Sequence, residues 1–407
     1  MTRLNGPMLF ILATLLIDAI GIGIVFPIMP DLMERVGAGG TAEGSVWAGL
    51  LMAAYAGAQF LLGPVVGSIS DAYGRRPVLI AALAFLALDY VIMALADSLW
   101  LLLLGRTLAG MAGATYITAT AYISDISTRE TRATNFGLIG AAFGIGFVLG
   151  PVLGGLAAGW HVTAPFWLAA GLAAANTVFG LFVLPESLKP ENRRPFGRRD
   201  LNPFGAILTA FRMPGLAVPL ICLFVFEFAN MVYPVLWAFW VREIFGWSAF
   251  LIGLTLSAYG VLIVLSQGVI MPHAVRLLGE GRVMLWGMVL AAATMVGFGF
   301  TSTIWALCIL LPLAALTDLV PPTLTAMAAN VAPEDRQGLV QGVIASLGAI
   351  SAVVAPLLLT RVFGFFADAE GPVYLPGAPF LLGALLVLAI LPLSLRQARR
   401  IVSPGRP

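Results

Sequence analysis

Twelve apolar runs of roughly span length recur along this chain, and a single long polar stretch interrupts them. They lie at 8–29, 46–69, 77–96, 98–124, 134–159, 164–184, 217–241, 248–272, 283–301, 303–330, 337–365 and 377–395. A helix needs about 20 mainly apolar residues to cross a bilayer. One soluble core is no alternative, because such cores stop growing at roughly 250–300 residues. This chain has 407 residues, 60% hydrophobic and 10% charged. The expectation is an all-α polytopic membrane protein with twelve transmembrane helices, the lipid bilayer being its first partner.

The polar stretch Pro185 to Gly215 carries Lys189, Arg193, Arg194, Arg198, Arg199 and Arg212 among Glu186, Glu191 and Asp200. It divides the chain into an N-terminal six-helix bundle at 1–184, a linker at 185–216 and a C-terminal bundle at 217–407. Cations test this layout, since cytoplasmic loops carry an excess of Lys and Arg. With the N-terminus inside, Arg3, Arg75, Arg76, Arg129, Arg132, the six linker cations, Arg276, Arg282, Arg336, Arg396, Arg399, Arg400 and Arg406 all fall on one side. Arg35, Arg242 and Arg361 fall on the other. Both termini are therefore expected in the cytoplasm. The first run continues past Leu16 through Asp18 to Pro27 without a small-x-small cleavage site, so it is expected to be a retained span.

The halves echo each other. "ETRATNFGLIGAAFGIGFVLGP" (Glu130 to Pro151) is similar to "EDRQGLVQGVIASLGAISAVVAP" (Glu334 to Pro356), and Gly67 with Arg75 recurs as Gly268 with Arg276. Repeated six-span halves around a midplane site are a transporter design. Other classes fit less well. The cations form no stripe for a nucleic acid, and no nucleophile–base or metal constellation suggests an enzyme. Cys222 and Cys308 lie in apolar runs and imply no disulfide, and no cofactor or metal is expected.

Three motifs interrupt the apolar pattern. "GSISDAYGRRPVL" sets Gly67, Asp71, Gly74, Arg75 and Arg76 in the turn between the second and third spans. Its glycines would let neighbouring backbones approach. Its charges could form a network with a neighbouring helix, or simply anchor the loop inside. "GRTLAGMAGAT" spaces Arg106, Gly110 and Gly113 along one face of the fourth span. An arginine at mid-membrane costs about 2.5–3.5 kcal/mol, so it needs an acid, a wet cavity or a snorkelling position near Trp100. In the fifth span, Gly137, Gly146, Gly150, Pro151, Gly154 and Gly155 offer a ridge for close packing and a bend.

Away from the span ends, five charged residues lie within spans: Asp18, Asp89, Arg106, Glu227 and Asp318. Such residues are functional by default, and these are candidates for proton coupling. Asp18 sits roughly 15 Å into its span at 1.5 Å per residue. An interfacial, helix-end position is the competing reading for Asp89. Glu227, Asn230, Pro234 and Trp237 share a face of the seventh span, with Trp240 close by. Glu227, Asn230 and Trp237, with Gln59 of the second span, are the substrate-binding candidates. Pro321 and Pro322 should break the helix after Asp318 and free carbonyls there. His161 and His273 are expected in loops.

The turn motif resembles the signature loop of the major facilitator superfamily, in which the acid and arginines latch the cytoplasmic side. The Arg106 motif is similar to that family's fourth-helix motif, whose arginine is tied to proton transfer, and the glycine pattern resembles its antiporter motif. "LIDAIGIGIVFPIMP" and "LDYVIMAL" resemble the tetracycline/proton antiporter branch. Two departures stand out: Ala72 replaces a usual basic residue, and Val283 to Phe300 lacks the ninth-span acid that tetracycline exporters usually carry. The resemblance implies the major facilitator fold and a monomer of a bacterial inner membrane. It implies exchange of protons for an amphipathic organic substrate, with tetracycline-like compounds and other drugs included. A metabolite exporter or proton symporter of the same fold is the alternative.

Overall fold

The computed structural model describes residues 6–112, 115–128, 131–193, 210–331 and 336–402. Arg3, Gly113, Arg129, Glu130, Arg194, Arg198, Arg199, Asp200, Glu334 and Arg406, named above, lie outside the described residues.

Helices account for all the regular structure among the described residues. They are α1 (Gly6–Arg35), α2 (Thr41–Tyr73), α3 (Arg75–Leu95), α4 (Leu99–Ala112), α5 (Thr115–Ile126), α6 (Arg132–Ala158) and α7 (Ala164–Val183). After the linker come α8 (Ala217–Asn230), α9 (Val232–Phe245), α10 (Ala249–Leu265), α11 (Met271–Leu278), α12 (Glu280–Phe300), α13 (Ile304–Thr317), α14 (Val320–Val331), α15 (Gln337–Phe366) and α16 (Ala378–Val402). Combined where they run on, they supply twelve segments long and apolar enough to cross a membrane. Large apolar side chains such as Phe182, Trp160 and Trp305 are exposed, as a lipid-facing surface requires.

The spans are helical with apolar residues on every face, and several carry prolines that remove a backbone donor. Pro27 and Pro30 lie inside α1, Pro64 inside α2 and Pro151 inside α6. The seventh span is two helices meeting at Met231. The eighth passes through a π-helical turn at Ser266–Ile270 before α11. His273 is a correction: it lies within α11, not in a loop, and its Nδ1 lies 2.8 Å from the Val269 carbonyl.

The chain forms two compact units. One comprises Met1–Gly40, Leu50–Asn202 and Trp247–Ser257. Its core gathers Phe10, Ile11 and Leu15 of α1, Leu79 and Leu83 of α3, Tyr122 and Ile123 of α5, and Leu184. The other comprises Thr41–Gly49, Pro203–Gly246 and Ala258–Pro407. One of its clusters joins Leu216, Leu220, Ala328, Val340, Val343 and Leu347. Each unit thus includes the opening turns of a helix whose remainder belongs to the other: α10 for the first, α2 for the second.

Candidate functional site

In the first unit, helices α1, α3 and α4 carry the intramembrane charges. Arg106 donates from Nη2 to Oδ2 of Asp89, forming an ion pair. The Asp89 side chain is 1% exposed and that of Arg106 13%, so water scarcely screens the pair. Asp89 is thus a buried partner of the arginine. The pair is not saturated, since Asp89 Oδ1 and Arg106 Nε have no hydrogen-bond partner.

Small residues make the approach possible. A Cβ on Gly105 would lie 3.2 Å from Asp89 Oδ1 and 2.9 Å from Ile92 Cγ2. One on Gly110 would overlap the Tyr55 carbonyl. The Arg106 guanidinium lies over the Tyr55 ring, 5.4 Å from its centroid. Asp18 is also buried, and a Cβ on Gly21, one turn further along α1, would overlap the Tyr90 hydroxyl. Tyr55 and Tyr90 each lie within electrostatic range of Asp18, Asp89 and Arg106. Sequence reasoning missed both tyrosines, although Tyr90 directly follows Asp89 and Tyr55 precedes Gln59 by one helical turn. Gln59 itself is half-buried on α2.

In the second unit the tenth span breaks between Thr317 and Val320. Pro322 has no N–H for the carbonyl of Asp318 four residues earlier. That carbonyl instead accepts from Nε2 of Gln267 at 3.3 Å, in the π-helical turn. The Asp318 carboxylate accepts from the Tyr259 hydroxyl at 2.7 Å and, more loosely, from Asn230 Nδ2 at 3.4 Å. Glu227, one turn before Asn230, lies within electrostatic range of Asp318. The seventh, eighth and tenth spans thus meet at one acid, a junction in which Tyr259 and Gln267 were not foreseen. π-Helical turns often mark such functional positions.

Trp237, a substrate-binding candidate, lies in an aromatic cluster. It is buried, 5.7 Å from Trp240 and edge-on to Phe298 at 5.6 Å. Trp240 packs in turn on Phe380 and Phe245. Glu227 and Asn230, on the other side of the Met231 break, are half-buried.

The turn motif is a network. Arg75, the first residue of α3, donates across Gly74 to Asp71 of α2, to Ser70 Oγ at 3.1 Å, and from Nε to Asp125 Oδ2 at 3.1 Å. Arg76 reaches the Leu181 carbonyl at 2.8 Å. Gly67 does not serve a close backbone approach, as a Cβ there would make an ordinary contact with Ile117 at 3.9 Å.

The fifth-span glycines divide between two partners. A Cβ on Gly150 would fall 2.7 Å from the Ile20 carbonyl oxygen and 2.8 Å from Gly23 Cα, and one on Gly154 2.6 Å from the Ile24 carbonyl oxygen. Gly146 likewise abuts Leu16 and Ala19, so α6 meets the α1 backbone directly. Gly155 faces α10 instead, with a Cβ 2.7 Å from the Ala249 oxygen. Pro151 also lies against α10, where a Cβ on Gly253 would overlap its carbonyl. Gly137 has nothing within 4 Å and takes no part in the ridge. Among the described residues, no group of three His, Cys, Asp or Glu side chains converges as metal ligands would.

This combination of twelve spans, a charge-networked turn and a glycine ridge agrees with a family comparison, in which the Major Facilitator Superfamily matches residues 11–233 and 219–405. The chain belongs to that superfamily. It is therefore a multi-pass membrane transporter rather than an enzyme. It is 37% identical to the class C tetracycline resistance protein of Escherichia coli, over 97% of this chain and 98% of that one. It is 28% identical to multidrug resistance protein 2 of Bacillus subtilis, over 86% and 87%. In fold it superposes on the nucleoside transporter NupG with a TM-score of 0.79 at 13% identity, covering 97% of this chain and 100% of the other.

Proposed function

We propose that this protein exports amphipathic organic compounds, drugs among them, in exchange for protons across a bacterial inner membrane. Tetracycline-like molecules fall within the proposed substrate class without defining it, because the ninth span has no acid between Val283 and Phe300. The protein would act as a monomer with both termini in the cytoplasm. Its moving bodies would be the halves at 1–184 and 217–407, joined by the linker at 185–216.

One observation carries this reading above the others: the ion pair of Asp89 and Arg106, buried in a membrane span with an oxygen and a nitrogen left unanswered. A charge in hydrocarbon must be paired or reached by water. A proton arriving on Asp89 removes the anion that answers Arg106. The freed guanidinium then needs a new partner, and Asp18 on α1 is the proposed one. Such an exchange of partners links protonation to helix movement, which proton-driven transport requires. The relatives named for tetracycline and multidrug resistance support the direction and the substrate class.

Glu227 and Asn230 are the proposed substrate readers, with Asp318 beside them. Trp237 backs that face from within the aromatic cluster. The half-buried acids Glu227 and Asp318 suit cationic or zwitterionic molecules.

The test is an efflux panel of tetracycline, ethidium and neutral chloramphenicol in a pump-deficient host. Wild type should extrude all three, with substrate-driven proton movement in vesicles. Asp18→Asn should keep the fold and lose proton-driven efflux. Glu227→Gln should weaken ethidium transport more than chloramphenicol transport. Unchanged pH-dependent transport in Asp18→Asn would sink the coupling role. Transport of a polar metabolite alone, or in the same direction as protons, would turn the reading to an exporter or symporter of the same fold.

A further inference from the structure

The turn between the second and third spans is held by a residue outside the signature motif. Glu186, just past the end of α7, places its carboxylate against the N-terminus of α3. Oε1 accepts from the backbone N–H of Arg75 at 2.9 Å, and Oε2 accepts from that of Arg76 at 3.2 Å. Oε1 also accepts from the N–H of Leu188 at 3.0 Å. The first N–H groups of a helix have no partner within the helix, and an anion there meets the positive end of its dipole. α3 has no N-cap side chain of its own, because the position is Gly74.

Gly74 is constrained twice over. Its φ of +110° disfavours any side chain, and a Cβ would overlap the Glu186 carboxylate. The signature glycine therefore leaves room for an acid 112 positions later in the chain, not only for a turn. The flanking residues keep that acid in place. Leu184 and Leu188 are buried on either side of it. Tyr122 donates to the Pro185 carbonyl at 3.0 Å, and Ser187 donates to Asp125 Oδ2 at 3.0 Å. That oxygen also receives Arg75 Nε.

We propose that Glu186 is the positioning residue of the signature turn, and that Pro185 to Leu188 form a strap tying the start of the linker to it. By fixing the Arg75 backbone, Glu186 aims that guanidinium at Asp71, Ser70 and Asp125 together. The cytoplasmic ends of α2, α3, α5 and α7 then move as one piece, and a pull on the linker reaches the turn directly. The functional part of this inference rests on the proposed export reading, whereas the positioning part does not.

Two measurements on the full-length protein separate them. The first is amide hydrogen–deuterium exchange in detergent micelles, which needs no substrate. Glu186→Gln replaces an accepting oxygen with an NH2 group, which faces N–H donors. Gly74→Ala displaces the carboxylate while leaving its charge. Each should speed exchange at Arg75 and Arg76 by about tenfold, the equivalent of one hydrogen bond to a charged group. The double variant should be no faster than the faster single one, because both act on one contact. Glu186→Asp, which keeps the charge on a shorter arm, should lie between wild type and Glu186→Gln. Unchanged exchange in Glu186→Gln, or additive effects in the double variant, would overturn the positioning role.

The second measurement is tetracycline transport in inverted vesicles. Glu186→Gln should lower the maximal rate about tenfold while KM stays within about twofold. Altered exchange with a normal maximal rate would overturn the strap's part in transport. If wild type moves no tetracycline, ethidium or chloramphenicol, the export reading fails while the exchange result still decides the position of Glu186.

Discussion

Removing Asp89 should cost more than removing Asp89 and Arg106 together. The pair lies in a membrane span with side chains 1% and 13% exposed, so solvent does little to soften the loss of either partner. Asp89→Leu leaves the guanidinium with the Tyr55 ring as its remaining described contact, a contact that wild type already has. Breaking a buried pair from one side costs about 3–5 kcal/mol, whereas exchanging both charges for apolar residues is often neutral or stabilising. Asp89→Leu should therefore destabilise by about 3–5 kcal/mol, and Arg106→Leu by a similar amount. The double variant should fall within about 1 kcal/mol of wild type, a coupling far beyond the ~0.5 kcal/mol scatter of independent sites. Asp89→Asn should be milder than Asp89→Leu, because the amide oxygen still accepts one hydrogen bond from Arg106. The assay is unfolding of purified protein by SDS titration in mixed micelles, with proton-driven efflux measured in parallel. The double variant should be stable and inactive in transport. Additive losses in the double variant would refute the coupling and leave Arg106 answered by something else.

The remaining predictions concern packing, the helix break and a loop tyrosine. Gly150→Leu should destabilise by about 1–3 kcal/mol, because its side chain would meet rigid α1 backbone. Gly137→Ala has open space and should stay within about 0.5 kcal/mol of wild type, so equal stability of the two variants would dismiss the ridge. Gln267→Leu should cost about 0.5–1.5 kcal/mol by removing the hydrogen bond to the Asp318 carbonyl, and less in a Pro322→Ala background that restores an N–H. A loss unaffected by Pro322→Ala would show that Gln267 acts elsewhere. Tyr374, in the loop before α16, donates to Glu243 at 2.7 Å. Partial burial, that hydrogen bond and the carboxylate's charge push its phenol up to about 12. Its folded form thus holds the proton more tightly than an unfolded tyrosine near 10. The resulting stabilisation is complete below about pH 10 and is lost as pH rises through about 12. Ultraviolet titration of wild type minus Tyr374→Phe should show this, and Glu243→Gln should bring the midpoint down. A midpoint unmoved by Glu243→Gln would refute the pairing.

Several features were legible before any fold was known because they are local. Partition into a membrane accumulates residue by residue, so runs of about 20 apolar residues announce spans wherever they occur. A charge network at the turn was expected because Asp71, Arg75 and Arg76 lie within six residues of one another. The break after Asp318 follows from Pro321 and Pro322, whatever surrounds them. The fifth-span glycines likewise promised close packing, though not with whom.

The tertiary structure alone decided the partners. In lipid the surroundings of a helix are as apolar as its neighbours, so no hydrophobic stripe marks the face that meets another helix. Asp89 and Arg106 each looked like isolated charges until the approach of α3 and α4 brought them together. Trp237 was a binding candidate by its residue type and position, and the structure packs it against Trp240 and Phe298. Gly74 looked like a turn residue alone until Glu186 arrived from beyond α7. Each outcome depends on which helix stands beside which, and a pattern apolar on every face does not encode that choice.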